Sequence, residues 1–292
     1  MVPMYDQIKE NRLRGSAAFP FALYEMPHGD SALSAALHWQ DDVEVLSVNR
    51  GEVALTLDSA QLLLHAGEVV WINPGQLHGF QGLTPDAHCD VFIFPMQHLL
   101  FSSEDHDQQS FLRPLAEGKL GFPPRLPPDT DCGPLLRQVI ALQKAQPPAY
   151  ELLTKALLLQ LISRLAQADA FVRLLPARHD DVCKRILTYV HEHYAEKITV
   201  RDAAEAAAIS PTYFSAFFLK HFFMTFTDYL RHYRIEQVCA MLKQTSLSVT
   251  EIALAAGFNS ASHMIQHFRR AKGITPLMYR RAGDAAGSRP SP

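Results

Sequence analysis

The chain has 292 residues, 48% hydrophobic and 20% charged, enough to bury a sizeable core without disulfides or metal staples. No run of about 18 uncharged apolar residues occurs, so a transmembrane helix is excluded, and the polar start MVPMYDQIKENRLRG gives no reason to expect a signal peptide. Residues 1–179 carry 13 Lys+Arg against 20 Asp+Glu, net −7, whereas residues 180–292 carry 14 against 10, net +4. That asymmetry hints at a basic module joined to something else. Cys89, Cys132, Cys183 and Cys239 lie far apart with no CxxC pair, which argues against a disulfide framework or zinc knuckle and for a reducing, cytoplasmic setting.

From about Leu33 to Phe94 the pattern is that of short strands. Val43 to Val48 leads to an Arg50-Gly51 turn, and Val53, Leu55 and Leu57 alternate with small or polar neighbours. Asp58-Ser59, Ala66-Gly67 and Asn73-Pro74-Gly75 then separate the later strands, which close with Val91 to Phe94. Strands at roughly ten-residue spacing predict a sandwich or barrel. Residues 101–131, with Pro123-Pro124 and Pro127-Pro128, read as a loop-rich connection. Helical periodicity takes over at about Gly133. Leu135, Leu136, Val139 and Ile140 form one stripe, and Leu152 to Leu165 a second that is more apolar than one buried face requires. Two readings stay open for this hairpin: packing on the barrel, or pairing with a second copy as well. The expected division is a barrel and connection over 1–132, a hairpin over 133–175, a linker over 176–182, a helical domain over 183–282 and a disordered tail over 283–292.

The C-terminal third contains an internal repeat. Thr199-Val200 with Asp202 and Ala204 returns 49 residues later as Ser248-Val249 with Glu251 and Ala253. After one inserted residue the offset is 50, matching Tyr213 to His263, Phe218 to Phe268, Lys220 to Arg270 and Tyr229 to Tyr279. Each unit opens with a hydroxyl residue and an acid three positions on, the spacing of a capping box. A short helix, a small residue at a tight turn (Ala208, Gly257) and a second amphipathic helix come next, the layout of a helix-turn-helix. Two such units joined by a helix over about 227–244, roughly 25 Å long, can address successive major-groove segments of double-stranded DNA.

These residues resemble the DNA-binding domain of the AraC/XylS family of bacterial transcription regulators. The resemblance is carried by Ile198-Thr199 with Ala203-Ala204, Ile209-Ser210-Pro211-Thr212-Tyr213-Phe214-Ser215, and Tyr229-Leu230-Arg231 with Arg234-Ile235. It continues through Ser248-Val249-Thr250-Glu251-Ile252-Ala253, Ala256-Gly257-Phe258 and Gly273-Ile274-Thr275-Pro276 with Tyr279-Arg280. The chain departs from the family at Ala216 and Gln266, where arginines are usual, at Met264-Ile265 in place of Phe-Ser, and at Phe223 in place of Gly. Gln266 suits an adenine, whose N6 and N7 a side-chain amide bonds together, and Ala216 at most a thymine methyl. Helical position makes Thr212, Tyr213, Ser215 and Ala216 the base-facing candidates on the first reader. Ser260, Ala261, His263, Gln266 and His267 are those on the second, with Lys220, Arg269 and Arg270 placed to hold phosphates.

Residues 33–80 resemble the cupin-type sensor barrel of the same family, through His38-Trp39-Gln40-Asp41-Asp42-Val43-Glu44, Gly51-Glu52, Gly67-Glu68 and Ile72-Asn73-Pro74-Gly75-Gln76-Leu77-His78. His38, Gln40 and Glu44 share strand parity and lean to one face. With His78 they are candidates for contact with a small polar effector, and Trp39, Phe80 or Phe19 for apolar walls. Gln40 replaces the second histidine of the cupin metal motif, so no metal or other cofactor is expected, although two histidines and a carboxylate also suit a metal-dependent enzyme. The expected protein is an α+β, two-domain, non-enzymatic regulator with no membrane segment. Family resemblance implies a carbohydrate effector, a homodimer and activation through RNA polymerase; an effector-independent DNA binder is the alternative.

Overall fold

In the computed structural model, residues 14–27, 33–58, 60–127, 130–174 and 178–287 are described, the last segment with side chains for 181–281. They fall into two compact units divided between Asp180 and Asp181, and each is taken by itself.

The first unit is built from two four-stranded antiparallel sheets. One has the order β1 (Ala22–Met26), β8 (His88–Phe94), β3 (Val43–Arg50), β6 (Val69–Ile72). The other runs β2 (Ser34–His38), β7 (His78–Gly82), β4 (Glu52–Leu57), β5 (Ala60–His65). Strand β3 is buried over Val43–Val48 because both its faces are covered, which explains its nearly continuous apolar run. Val43 and Val45 join Trp71, Phe92 and Phe94 in a core shared with helices α2 (Cys132–Ala145) and α3 (Tyr150–Gln167), and the intervening Glu44 and Leu46 lean the other way.

Several expectations need correction. Strand β1 lies within the expected barrel segment but ahead of the strand pattern read from about Leu33; its five residues are too short and mixed to stand out, and pairing with β8 makes them a strand. The connection contains a helical turn, Gln108–Leu112, running into α1 (Arg113–Ala116), then β9 (Leu120–Gly121). Its organiser is Gln108, whose buried amide bonds the backbone of Phe101 and Ser103. The hairpin ends at Gln167, and the residues beyond it form β10 (Val172–Arg173), paired with β9. The linker expected over 176–182 is instead largely the start of α4 (Arg178–His193), whose Cys183, Ile186, Leu187 and Val190 are buried at helical spacing, so packing overrides the polar composition of its first turn.

The second unit is all helical: α4, α5 (Val200–Ala206), α6 (Pro211–Phe222), α7 (Phe226–Gln244), α8 (Val249–Ala255), α9 (Ala261–Lys272) and α10 (Pro276–Gly287). Helix α10 runs through 283–287, expected as tail; residues 288–292 lie outside the described residues. The repeat is structural down to its caps. Thr199 with Asp202, and Ser248 with Glu251, each close a reciprocal capping box. Ser210 and Ser260 cap α6 and α9, and the inserted residue lies in the turn between Gly257 and Ser260. Phe214 and Met264 fill equivalent core positions, both fully buried. Arginines anchor the turns: Arg185 donates to Ala207 O, Arg234 to Tyr194 O and Glu196 O, and Arg280 to Leu242 O and Leu247 O. The carbonyls of Ala207, Tyr194 and Leu242 lie at or just past helix ends, where backbone acceptors go without intrahelical partners.

The turn residue Ala208 adopts φ +56°, left-handed backbone that costs a β-carbon roughly 1–2 kcal/mol. Its side chain is exposed, so no packing is lost by removing it. Ala208→Gly is therefore expected to stabilise the helical unit by roughly 0.5–1 kcal/mol, net of the extra freedom glycine gives the unfolded chain. The check is the melting of the helical circular-dichroism signal; an unchanged or lower midpoint would refute the strain.

Candidate nucleic-acid interface and effector site

Helix α6 turns Phe214, Phe217, Phe218 and Phe222 into the core, where Phe218 stacks on Phe222 at 4.0 Å. That leaves Thr212, Tyr213, Ser215, Ala216 and Lys220 exposed on its outer face, with Tyr213 half exposed. Helix α9 buries Met264 and Phe268 and exposes His263, Gln266, Arg269 and Arg270; Ser260 is exposed, and Ala261 and His267 are partly so. The candidate residues thus lie on the outward faces; Tyr213 with His263, Ala216 with Gln266 and Lys220 with Arg270 hold equivalent places in the repeat, whereas His267 stands where the first unit buries Phe217. Lys272 is engaged, its Nζ 2.7 Å from Glu236, and is less free to meet a phosphate than Arg269 and Arg270. His263 and His267 face each other one turn apart, their Nε2 atoms at 3.0 Å. Of the reading faces, this pairing is what sequence reasoning missed, though an i, i+4 spacing is its signal.

In the sheet domain, His38 comes from the end of β2, Glu44 from β3 and His78 from the start of β7. His78 sits opposite His38 in the β2–β7 ladder. The loop before it is fixed by Asp58, which accepts from Leu77 N at 3.0 Å and Gln76 Nε2 at 2.8 Å, and by Gly75 N donating to Gln40 O at 2.7 Å. The result is a buried cluster. His78 Nε2 lies 3.3 Å from Glu44 Oε2, the two imidazole centroids are 4.2 Å apart, and Gln40 Nε2 donates to Glu44 at 2.9 Å. Arg14, also buried, donates to Gln40 Oε1 at 2.6 Å and stands 3.8 Å from Asp42. Arg14 was not foreseen, and its place in a polar N-terminal stretch gave no signal for it. Phe80 is buried two residues beyond His78 on the same strand and shares its face; Trp39 is buried too. Phe19 is not a wall of this cluster: it stacks on Phe21 at 4.2 Å in the core beneath α2 and α3.

Burial and the neighbouring His78 push the His38 ring down to about 3, keeping it neutral. Burial alone would raise Glu44, but His78, His38 and Arg14 outweigh it and bring the carboxyl to about 2. Burial raises Asp42 against the pull of Arg14. Both histidines direct Nδ1 at a backbone carbonyl, His38 at Ala36 O and His78 at Gln76 O, each at 2.9 Å. With Nδ1 donating, a neutral ring presents the Nε2 lone pair to Glu44, so the close approach requires either a proton on His78 or a cation between them. The donor atoms of His38, Glu44 and His78 all lie within 4.8 Å of one another, and imidazoles tied through Nδ1 to carbonyls are the usual support of metal ligands. This donor set fits a divalent transition ion; Gln40, turned with its amide nitrogen toward Glu44, is not among the ligands.

Residues 203–282 match a family profile described as a helix-turn-helix domain, and residues 29–162 one described as an AraC-like ligand-binding domain. The HTH-type transcriptional regulator YdeC of Bacillus subtilis is 25% identical over 258 residues, 84% of this chain and 86% of that protein. The melibiose operon regulatory protein of Escherichia coli is 32% identical over 97 residues, 33% of this chain and 32% of that one. Among solved structures, the DNA-binding domain of AdpA in complex with a target DNA aligns at 28% identity over 36% of this chain and 95% of that one, with a TM-score of 0.35. No described helix is long and apolar enough to cross a membrane. With a ligand-binding domain in front of a twofold helix-turn-helix unit, the chain is a DNA-binding transcription regulator and belongs to the AraC family.

Proposed function

We propose that α6 and α9 enter two successive major-groove segments and that a small polar effector acts through His38, Gln40, Glu44 and His78, beside Phe80 and Trp39. The observation that supports the DNA face is the repeat itself. At offset 50, Phe214 coincides with Met264 and Phe218 with Phe268 in the core, and Tyr213 with His263, Ala216 with Gln266 and Lys220 with Arg270 on the exposed side. Bases are read by Thr212, Tyr213, Ser215, Ala216, Ser260, Ala261, His263, Gln266 and His267, and phosphates are held by Lys220, Arg269 and Arg270. Regulation, not turnover, is the proposed role. The effector alters DNA binding by favouring one arrangement of the protein over another, so its affinity for the two must differ.

The finer assignments rest on the resemblance. A carbohydrate effector suits a cluster of hydrogen-bonding groups beside an aromatic ring, and one relative is named for the melibiose operon. Activation through RNA polymerase in the cytoplasm and a homodimer complete the proposal; the exposed Leu152 and Leu153 on α3 are the surface suited to the second copy. A second reading of the cluster is a divalent ion as the effector itself, favoured by the convergence of His38, Glu44 and His78. Metal analysis of the purified chain decides between these two: an equivalent of ion lost on His78→Ala supports the second.

Selection of the full-length chain against random duplex DNA tests the reading faces. Two short elements about one helical turn apart are expected. Absence of enrichment, both alone and with candidate sugars or divalent ions added, would overturn the proposal. On the selected duplex, Gln266→Ala is expected to lose roughly 1–3 kcal/mol of discrimination at one base pair. Arg270→Ala is expected to weaken all sequences alike and to flatten the salt dependence by about one unit of slope. An exchange of these two behaviours would reverse the assignment of the residues.

A further inference from the structure

The outer side of α9 carries two imidazoles, His263 and His267, one turn apart. Their Nε2 atoms stand 3.0 Å apart, with ring centroids at 4.5 Å and ring planes at 88°. A transition ion with metal–nitrogen bonds of about 2.0–2.1 Å holds two neighbouring nitrogens roughly 2.9–3.4 Å apart, for angles between about 90° and 109°. The pair already stands at that separation, held by an Nε2–H···Nε2 hydrogen bond whose proton a bound ion would displace. Phe258 fixes one side, its ring edge-on to His263 at 6.0 Å. Partial burial, then Arg231, His263 and Arg270, hold the His267 ring below the ordinary histidine range. The same guanidiniums oppose a dication, which limits affinity without changing the geometry.

We propose that His263 and His267 form a two-imidazole site for a divalent transition ion of the zinc, nickel or copper class, water completing the coordination, and that ion and DNA exclude one another there. Imidazole donors select these ions over magnesium or calcium, which prefer oxygen. Exclusion arises because the hydrated ion would cover the edge that His263, Gln266 and His267 present to a groove. This second part rests on α9 facing DNA; chelation does not.

The test uses the full-length chain, stripped with chelator and titrated calorimetrically with nickel or zinc. His263→Gln and His267→Gln are each expected to abolish one class of bound ion, because losing either ring forfeits a chelate advantage of about 10² or more. Ions held by the buried cluster of the sheet domain remain in both variants, since both substitutions lie on the surface of α9. Magnesium gives no such signal. At low salt, saturating nickel weakens binding of the wild type to a random-sequence duplex and leaves His267→Gln unaffected. Ion binding identical in all three proteins would overturn the site. Ion binding that left duplex affinity unchanged would overturn the exclusion. A wild type that bound no duplex at all would remove the reading of α9 as a DNA face, and the calorimetry would still decide the chelate.

Discussion

At pH 5 the sheet domain is expected to be about 2 kcal/mol less stable than at pH 7, and by pH 4 about 4 kcal/mol less stable, in the absence of divalent ions. The cause is the buried cluster. His38 is neutral in the folded chain down to about 3, whereas its unfolded counterpart takes a proton near 6.5. Between those values the unfolded state binds more protons, so falling pH draws the equilibrium toward unfolding. Glu44 adds to the loss below 4.5, because its folded carboxyl stays ionised down to about 2. Both tryptophans, Trp39 and Trp71, lie in this domain, so their fluorescence during urea unfolding reports on it alone. His38→Gln is expected to remove most of the slope between pH 6.5 and 5. A urea midpoint that did not move between pH 7 and pH 5 would show that His38 takes a proton while folded. At pH 7, Glu44→Ala is expected to cost roughly 3–5 kcal/mol, since it takes from the Gln40 amide and the His78 ring the buried carboxylate they both approach and removes a negative charge near Arg14.

Gly257→Ala is expected to destabilise the helical unit by roughly 3 kcal/mol or more and to abolish DNA binding at 37 °C, the reverse of the gain expected at Ala208. The two residues hold the same turn of the repeat, and both lie at positive φ, +79° and +56°. Their surroundings differ. A β-carbon on Gly257 would stand 2.6 Å from Tyr194 O and 2.9 Å from the backbone of Ala195, atoms that cannot swing aside. Tyr194 O is itself the acceptor for Arg234, so displacing it disturbs the anchor between α4 and α7. Ala208 meets no such wall and bears only the backbone strain. Melting followed by helical circular dichroism should fall sharply for Gly257→Ala while the tryptophan-reported midpoint stays put. Wild-type stability of this variant would mean that the α4–α5 connection yields more readily than its hydrogen bonds indicate.

What could be read ahead of the structure was whatever repeats or alternates over a few residues. The hydroxyl-and-acid spacing at Thr199 and Ser248, the small residues at the turns and the apolar stripes of α6 and α9 are local, and the helices form where they lie. Departures arose where packing overruled composition. The polar residues before Cys183 begin a helix because Cys183, Ile186, Leu187 and Val190 bury along it, and the residues of β1 become a strand through β8.

The sequence by itself determined the two-domain α+β organisation, the duplicated reader and the shared face of His38, Gln40 and Glu44, because capping, helical period and strand parity act within a few residues. Tertiary structure alone decided that His78 arrives opposite His38, that Arg14 reaches Gln40 from 26 positions away, and that Phe19 belongs to a different core. Those outcomes depend on register between strands and on which loops the side chains of Asp58 and Asn73 hold down. Such contacts join residues whose separation along the chain carries no period to read.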